Sequence, residues 1–279
     1  MKVLFHVFGL PIYFFGTMIA IGIFAGLYVA NLEAKRKKLD ADKMYDVAVY
    51  SIISAIIGAR IFYILFYNLP FYLANPMEII KINEGGLSIH GGLIGAIGFA
   101  FYYIKRHKLS FLKYADAMAP GIILGQGIGR IGCDVFGKVM AMPWPWGVFY
   151  QGQLLHPAQV YEFLLNYAVF FFLWRKRKTI NYDGQLFAWY LILFTINRSI
   201  VELFRNNPQV AGSFSVSYLL SFILMLGSLI FMFYIKKGRA EISVDTKKGS
   251  SISFEFIKDL LITIALVVVS LFVFYIIQG

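Results

Sequence analysis

Long apolar stretches recur along the whole chain, near 10–31, 46–68, 86–105, 114–134, 157–174, 184–204, 213–235 and 256–277. Each is close to the ~20 residues that a helix needs to cross a bilayer's hydrocarbon. Lipid offers no partner for backbone N–H and C=O groups, so such segments must satisfy their own hydrogen bonds as helices. The predicted fold is therefore all-α, a polytopic membrane protein. A seven-helix transmembrane core is expected over 1–236, followed by a polar cytoplasmic linker at 237–255 and one additional, appended transmembrane helix at 256–279. Composition excludes a soluble fold, because 59% hydrophobic residues and a mean hydropathy of +0.69 would leave a largely apolar surface.

The formal net charge of +11 would suit a nucleic-acid partner if the basic residues formed one patch. They fall instead in short runs between apolar stretches: Lys35–Lys38, Lys105–Lys108, Arg175–Lys178 and Lys236–Arg239. That alternation is the positive-inside pattern, so a lipid bilayer rather than a nucleic acid is the expected partner. The basic loops then face the cytoplasm, and the N-terminus is extracytoplasmic. The first apolar segment has only Lys2 before it and its basic cluster after it, which predicts a retained helix rather than a cleaved signal. Eight spans bring the C-terminus back to the N-terminal side.

Cys133 is the single cysteine, so no intramolecular disulfide or thiolate cluster is expected. His6, His90, His107 and His156 show no metal-ligand spacing, and neither a metal nor another cofactor is predicted.

Ionisable residues inside the spans are costly unless they face protein or water, which makes them functional candidates. His90 stands in LSIHGG, Arg130 in GIGRIGCD, and Arg198 and Glu202 in NRSIVELFR, with Arg205 on the same side. Gln126 lies one turn before Arg130. An Arg130–Asp134 pair and an intrahelical Arg198–Glu202 pair are structural alternatives for these charges. His156-Pro157 opens the fifth span, where Gln159 and Glu162 share a face. Arg60, in GARIFYILFYN, reads as a packing or snorkelling residue. Glycines repeat at 121, 125 and 129 and again at 91, 95 and 98, a spacing that lets helix backbones approach closely. They are expected to bring the fourth span, with Arg130, close to the third, with His90. Gly85-Gly86 predicts an irregular start to the third span.

Taken together in this order, GGLSIHGG, GxGRIG, HPAQVYE and NRSIVELFR resemble the prolipoprotein diacylglyceryl transferase family, over roughly 9–236. The resemblance implies an enzyme of the bacterial cytoplasmic (inner) membrane. It would transfer diacylglyceryl from phosphatidylglycerol to the lipobox cysteine of preprolipoproteins, whose signal peptides it would bind. The family's histidine, signature arginine, and sixth-span arginine and glutamate map onto His90, Arg130, Arg198 and Glu202 as catalytic residues. Phosphatidylglycerol binding is expected from Arg130 and Arg198 with Gln126, Lys138, His156, Gln159 and Glu162. The chain also departs from the family. Its signature runs GRIGCDVFGK, with Cys133, Phe136 and Lys138 in place of Asn, Asn and Glu. Phe15 and Phe194 replace tyrosines, Ser217-Tyr218 stands where Gly-Gln is usual, and the outer loop near 138–156 is shorter. These departures bear on the acceptor more than on the donor. A related transferase with another acceptor is thus one alternative, and a small anion transporter with arginines along its path is another.

Overall fold

The computed structural model describes residues 2–7, 9–82, 85–205, 209–211, 214–237 and 252–278, with the backbone alone at 10, 209–211, 214–220 and 252–253. The expected linker at 237–255 lies mostly outside the described residues, as do the side chains of Ser217 and Tyr218. Helices α1 Phe14–Arg36, α2 Ala41–Tyr67, α4 Ile89–Arg106, α5 Phe111–Ile131, α6 Ala158–Lys176, α7 Gln185–Glu202, α8 Val216–Lys237 and α9 Ile252–Gln278 answer the eight apolar stretches in order. A short α3, Leu69–Ala74, and a 3-10 turn, Pro76–Ile80, follow α2. Among the described residues, α1, α2 and the stretch Phe254–Gln278 of α9 are long and apolar enough by themselves to cross a bilayer. Helices α5, α6 and α7 are more polar because they carry the charged residues described below. The protein is an all-α membrane protein.

Among the described residues, three small antiparallel strand pairs, not anticipated from the apolar pattern, sit outside the helices: β1 Val3–Val7 with β2 Leu10–Tyr13, β3 Val148–Tyr150 with β4 Gln153–Leu155, and β5 Gln209–Ala211 with β6 Phe214–Ser215. The β3–β4 loop is two residues long, and both Gln151 (φ 50°) and Gly152 (φ 80°) are left-handed, as a primed hairpin turn requires.

The chain divides into two compact units, Met1–Ala30 with Ala115–Gly279, and Asn31–Tyr114. In the smaller unit α2 and α4 pack along a glycine contact, since a Cβ on Gly58 would lie 2.5 Å from the Gly91 carbonyl oxygen. Asp40 starts α2 by accepting from the N–H groups of Asp42 and Lys43, both at 3.1 Å. Arg60 is buried and is neither snorkelling nor merely packing. Its Nε donates to the Ile79 carbonyl (2.9 Å), Nη1 to Gly85 (2.7 Å) and Gly86 (3.0 Å), and Nη2 to Glu78 (2.5 Å) and Lys81 (3.3 Å). The guanidinium thereby organises the irregular segment that precedes α4, where Gly85 and Gly86 adopt positive φ.

In the larger unit, α1 and α5 meet through Gly22 and Gly26 against Gly125 and Gly121, with hypothetical Cβ atoms at 2.6 and 2.7 Å from the facing carbonyls. The glycines expected to draw the fourth span toward the third thus make their close contacts with other helices. Those of α5 serve α1, and those of α4 serve α2. Both stripes have the right spacing for close approach, but spacing alone does not name the partner. The core of this unit gathers Phe14, Ile123, Phe163, Tyr167, Leu173, Leu186 and Phe274.

Helix α7 begins at Gly184, which has no side chain to cap the first turn. Its N–H groups find a carboxylate on another helix. Asp116 of α5, fully buried, accepts from the N–H groups of Gly184 and Phe187, both at 2.9 Å. Removing that acceptor strands buried donors, which costs about 1–3 kcal/mol. Asp116→Ala should lower the melting temperature in detergent clearly, and Asp116→Asn, which keeps an acceptor oxygen, should lower it less. Equal melting for wild type and Asp116→Ala would show that the cap contributes nothing.

Candidate active site

Three helix ends come together in the larger unit: the C-terminus of α5 with Arg130, the N-terminal part of α6 with Gln159 and Glu162, and the C-terminus of α7 with Arg198 and Glu202. Arg130 Nε lies 2.9 Å from Glu162 Oε1. On the other side of that carboxylate, Arg205 Nη1 is 3.7 Å from Oε2. Arg198 Nη2 pairs with Glu202 Oε2 at 3.2 Å, so the intrahelical pair that the spacing allowed is formed. The signs suit the ends of α5 and α6, whereas Glu202, the last residue of α7, is an anion at a C-terminus and is offset there by Arg198. A cation stands at the C-terminus of α5, and an anion stands near the N-terminus of α6. Glu162 and Glu202 are buried. Burial, with Arg198 and Arg130 nearby, holds the Arg205 guanidinium below its ordinary pKa.

Neutral amides surround the charges. Gln159 is buried and donates through Nε2 to the Cys133 carbonyl at 3.0 Å, tying α6 to the turn after Arg130. Asn197 of α7 donates to Asn166 of α6 at 3.3 Å. Gln126 Nε2 donates to the Tyr190 hydroxyl at 3.1 Å. Cys133 Sγ accepts from Arg130 Nη1 at 3.7 Å. Among the described residues, Gln126 Oε1, Gln159 Oε1, Asn166 Nδ2 and Arg205 Nε are buried and meet no hydrogen-bond partner. Buried polar atoms left in that state are costly, and they recur where a ligand is to be bound.

The turn after α5 joins this cluster to the segment before α6. The Gly137 and Lys138 N–H groups donate to the carbonyls of His156 and Phe204, both at 2.8 Å, and His156 N–H donates back to Lys138 at 2.9 Å. Lys138 is exposed and its Nζ donates to the Leu203 carbonyl at 3.1 Å. His156 Nδ1 is 3.0 Å from the Tyr161 hydroxyl, which also accepts from the Trp146 indole at 3.0 Å. A cavity of about 250 Å³ opens beside them, lined by Asp134, Phe136, Lys138, Tyr150, Gln151 and Gln153 among others.

Of the residues singled out from the sequence, Arg130, Arg198, Glu202, Gln126, Gln159, Glu162, Lys138 and His156 all belong to this unit. His90 belongs to the other, at the first turn of α4, exposed and with its ring centroid 6.3 Å from that of Phe62. Sequence reasoning left the partnership of Arg205 with Glu162 unread, and it missed Asn166. The positions, though not the partnership, were accessible from spacing. Arg205 falls seven residues after Arg198, and Asn166 falls four after Glu162, each on the stripe already identified. Among the described residues no group of three or more His, Cys, Asp or Glu side chains could hold a metal ion.

The chain matches the family described as "Prolipoprotein diacylglyceryl transferase" over residues 2–234. Curated relatives named "Phosphatidylglycerol--prolipoprotein diacylglyceryl transferase" are similar over most of their length. The protein of Clostridioides difficile (strain 630) is 35% identical over 238 residues, which cover 85% of this chain and 96% of that one. That of Finegoldia magna is 34% identical over 241 residues, covering 85% and 96%. One from Bacillus cereus (strain ATCC 14579) is 35% identical over 246 residues, covering 83% and 91%. Extent and identity together leave one assignment: the chain belongs to the prolipoprotein diacylglyceryl transferase family.

Proposed function

We propose that this enzyme transfers the diacylglyceryl group from phosphatidylglycerol to the cysteine thiol of a prolipoprotein lipobox, at the outer face of a bacterial cytoplasmic membrane. The arginine cluster carries the reading. Arg130, Arg198 and Arg205 set three guanidinium groups against the two carboxylates of Glu162 and Glu202 at the ends of membrane helices, with Lys138 and Asp134 beside the adjoining cavity. A phosphodiester headgroup carries one negative charge, and guanidinium presents a planar fork of donors that fits its oxygens. Nucleic acid plays no part in this reading.

The chemistry follows from that placement. The thiolate attacks the glyceryl carbon that bears the phosphate ester. The C–S bond forms as the C–O bond breaks, and glycerol phosphate leaves with the electron pair. Arg130 and Arg198 neutralise charge that grows on the leaving phosphate. Glu162 and Glu202 hold those guanidiniums in place, and Gln126, Gln159, His156 and Lys138 provide the polar surroundings of the headgroup. The thiol proton goes to His90, which the resemblance to the family motif offers for the task, or to another base; an imidazole is suited to that role near neutral pH. No cofactor enters this scheme.

Purified protein with labelled phosphatidylglycerol and a lipobox peptide should release glycerol phosphate and yield a lipidated peptide. Arg130→Lys should lose about a hundredfold or more in rate, because a point charge does not reproduce the fork. Full lipid-dependent activity in Arg130→Ala would remove the phosphate clamp from consideration. His90→Ala should depress turnover more than donor binding. Release of glycerol phosphate without a lipidated peptide would favour the second reading, a different acceptor, for which Cys133 beside Arg130 is the specific motive.

Lys2 Nζ donates to the Ile277 carbonyl, which puts the two chain ends at one end of the larger unit, while the side of the membrane is read from the basic loops alone. This accords with eight spans and an extracytoplasmic N-terminus. In a Cys133→Ser background, Lys37→Cys should resist a membrane-impermeant maleimide added from outside. Labelling there would invert the assignment.

A further inference from the structure

The family match ends at residue 234, so α9 lies wholly beyond it. Most of α9 looks like a lipid anchor, with Leu261, Ile264, Val268, Val269, Phe272 and Ile276 exposed. Its other side does not. An anchor in hydrocarbon has no use for polar side chains at depth, since burying them is costly unless they are hydrogen-bonded. Here they are hydrogen-bonded to α5 and α6.

Helix α9 runs antiparallel to α6. Near one end, Asp259 accepts from the Trp174 indole (3.3 Å) and from Arg175 (3.1 Å). Further along, the Ser270 hydroxyl is 2.9 Å from that of Tyr167, and Phe274 meets Phe163 edge to face at 6.3 Å. Ser270 and Phe274 are fully buried. At the far end, Gln278 Nε2 donates to the Ile131 carbonyl at 3.1 Å. Ile131 is the last residue of α5, next to Arg130, and its carbonyl is one that the helix itself leaves without a partner.

Tyr167 connects the two ends of this contact to the site. Its ring fills the space over Gly127, where a Cβ would lie 2.6 Å from Tyr167 Cε1, and Gly127 adjoins Gln126. On the neighbouring stripe of α6 stand Gln159, Glu162 and Asn166. Helix α9 therefore touches Arg130's helix at its terminal carbonyl and Glu162's helix at Tyr167. We propose that α9 is a working part of the transfer site, with Ser270 and Gln278 as positioning residues that hold Arg130 and Glu162 in register for the lipid phosphate. The proposal rests on reading the arginine cluster as the phosphate clamp. It also revises the expectation that this helix is only an addition to the core.

The test uses the full-length protein in vesicles containing labelled phosphatidylglycerol, with a lipobox peptide as acceptor and glycerol phosphate release as a second readout. Small displacements of reacting groups cost up to about a hundredfold in rate, so Ser270→Ala and Gln278→Ala should each lower kcat severalfold, and together about tenfold or more. KM for phosphatidylglycerol should rise in the double variant, assayed well below a melting transition that falls only modestly as the Tyr167 hydroxyl and the Ile131 carbonyl lose their partners. Ser270→Thr, which keeps the hydroxyl, should restore turnover. The lipid-facing Val268→Ala is the control and should match the wild type. Truncation after Lys237 should abolish efficient transfer; where the truncated chain fails to fold, the point variants decide. Unchanged kcat and KM in the folded double variant would overturn the proposal. If Arg130→Lys is impaired in the same assay while the α9 variants are not, only this inference falls. If Arg130→Lys is also unimpaired, the phosphate-clamp reading falls with it.

Discussion

Glu162 stands between Arg130 and Arg205 and so joins the end of α5 to the end of α7 through the start of α6. A buried ion pair of this kind is poor evidence for stability by itself, because desolvating the charges offsets much of their attraction. Breaking one is another matter, since it leaves an uncompensated charge out of water. The arrangement is thus better understood as specifying position than as holding the fold together. Helix packing supplies the cohesion, through the glycine contact of α1 with α5 and the aromatic core around Phe163 and Tyr167. The carboxylate then decides where two guanidinium groups point.

This division of labour has a reason in lipid. Apolar side chains gain little by leaving hydrocarbon for a protein interior, so close backbone approach and shared polar contacts carry more of the association than they would in water. Gly22, Gly26, Gly58 and Gly91 provide the first, and Asp116 under α7 and Tyr167 against Ser270 provide the second. The same polar contacts that order the helices also surround the site, and the protein has no sharp boundary between its scaffold and its chemistry.

Much of this was legible in the sequence, and what was not has identifiable causes. Hydropathy read the eight long helices in order, because only helices satisfy the backbone in lipid. Arg130, Arg198, Glu202, Gln159 and Glu162 stood out because charge and amides are rare at such depth, and the Arg198–Glu202 pair followed from its spacing. Partners across helices did not follow. Glu162 was identified on its stripe, yet nothing in the linear order ties it to Arg130. The glycines were expected to draw the fourth span toward the third, when each stripe serves a different neighbour. Asp116 and Arg60 were misread or passed over because their partners are main-chain atoms, which every residue supplies and no motif marks. For α9, a smooth apolar run hid Ser270 and Gln278, since a single hydroxyl or amide hardly changes a hydropathy average.

Arg60 shows what a cation accomplishes when its partners among the described residues are main-chain carbonyls. A guanidinium has five N–H donors, and here all five are taken by the carbonyls of Glu78, Ile79, Lys81, Gly85 and Gly86. It has nothing left to offer a lipid headgroup. It behaves like a metal ion in a carbonyl cage, except that it is tethered to α2 by a covalent chain. A bound metal comes and goes with its concentration and is stripped by a chelator. This one is installed when the chain is made and stays at one equivalent, so the segment before α4 is ordered without depending on the ionic content of its surroundings.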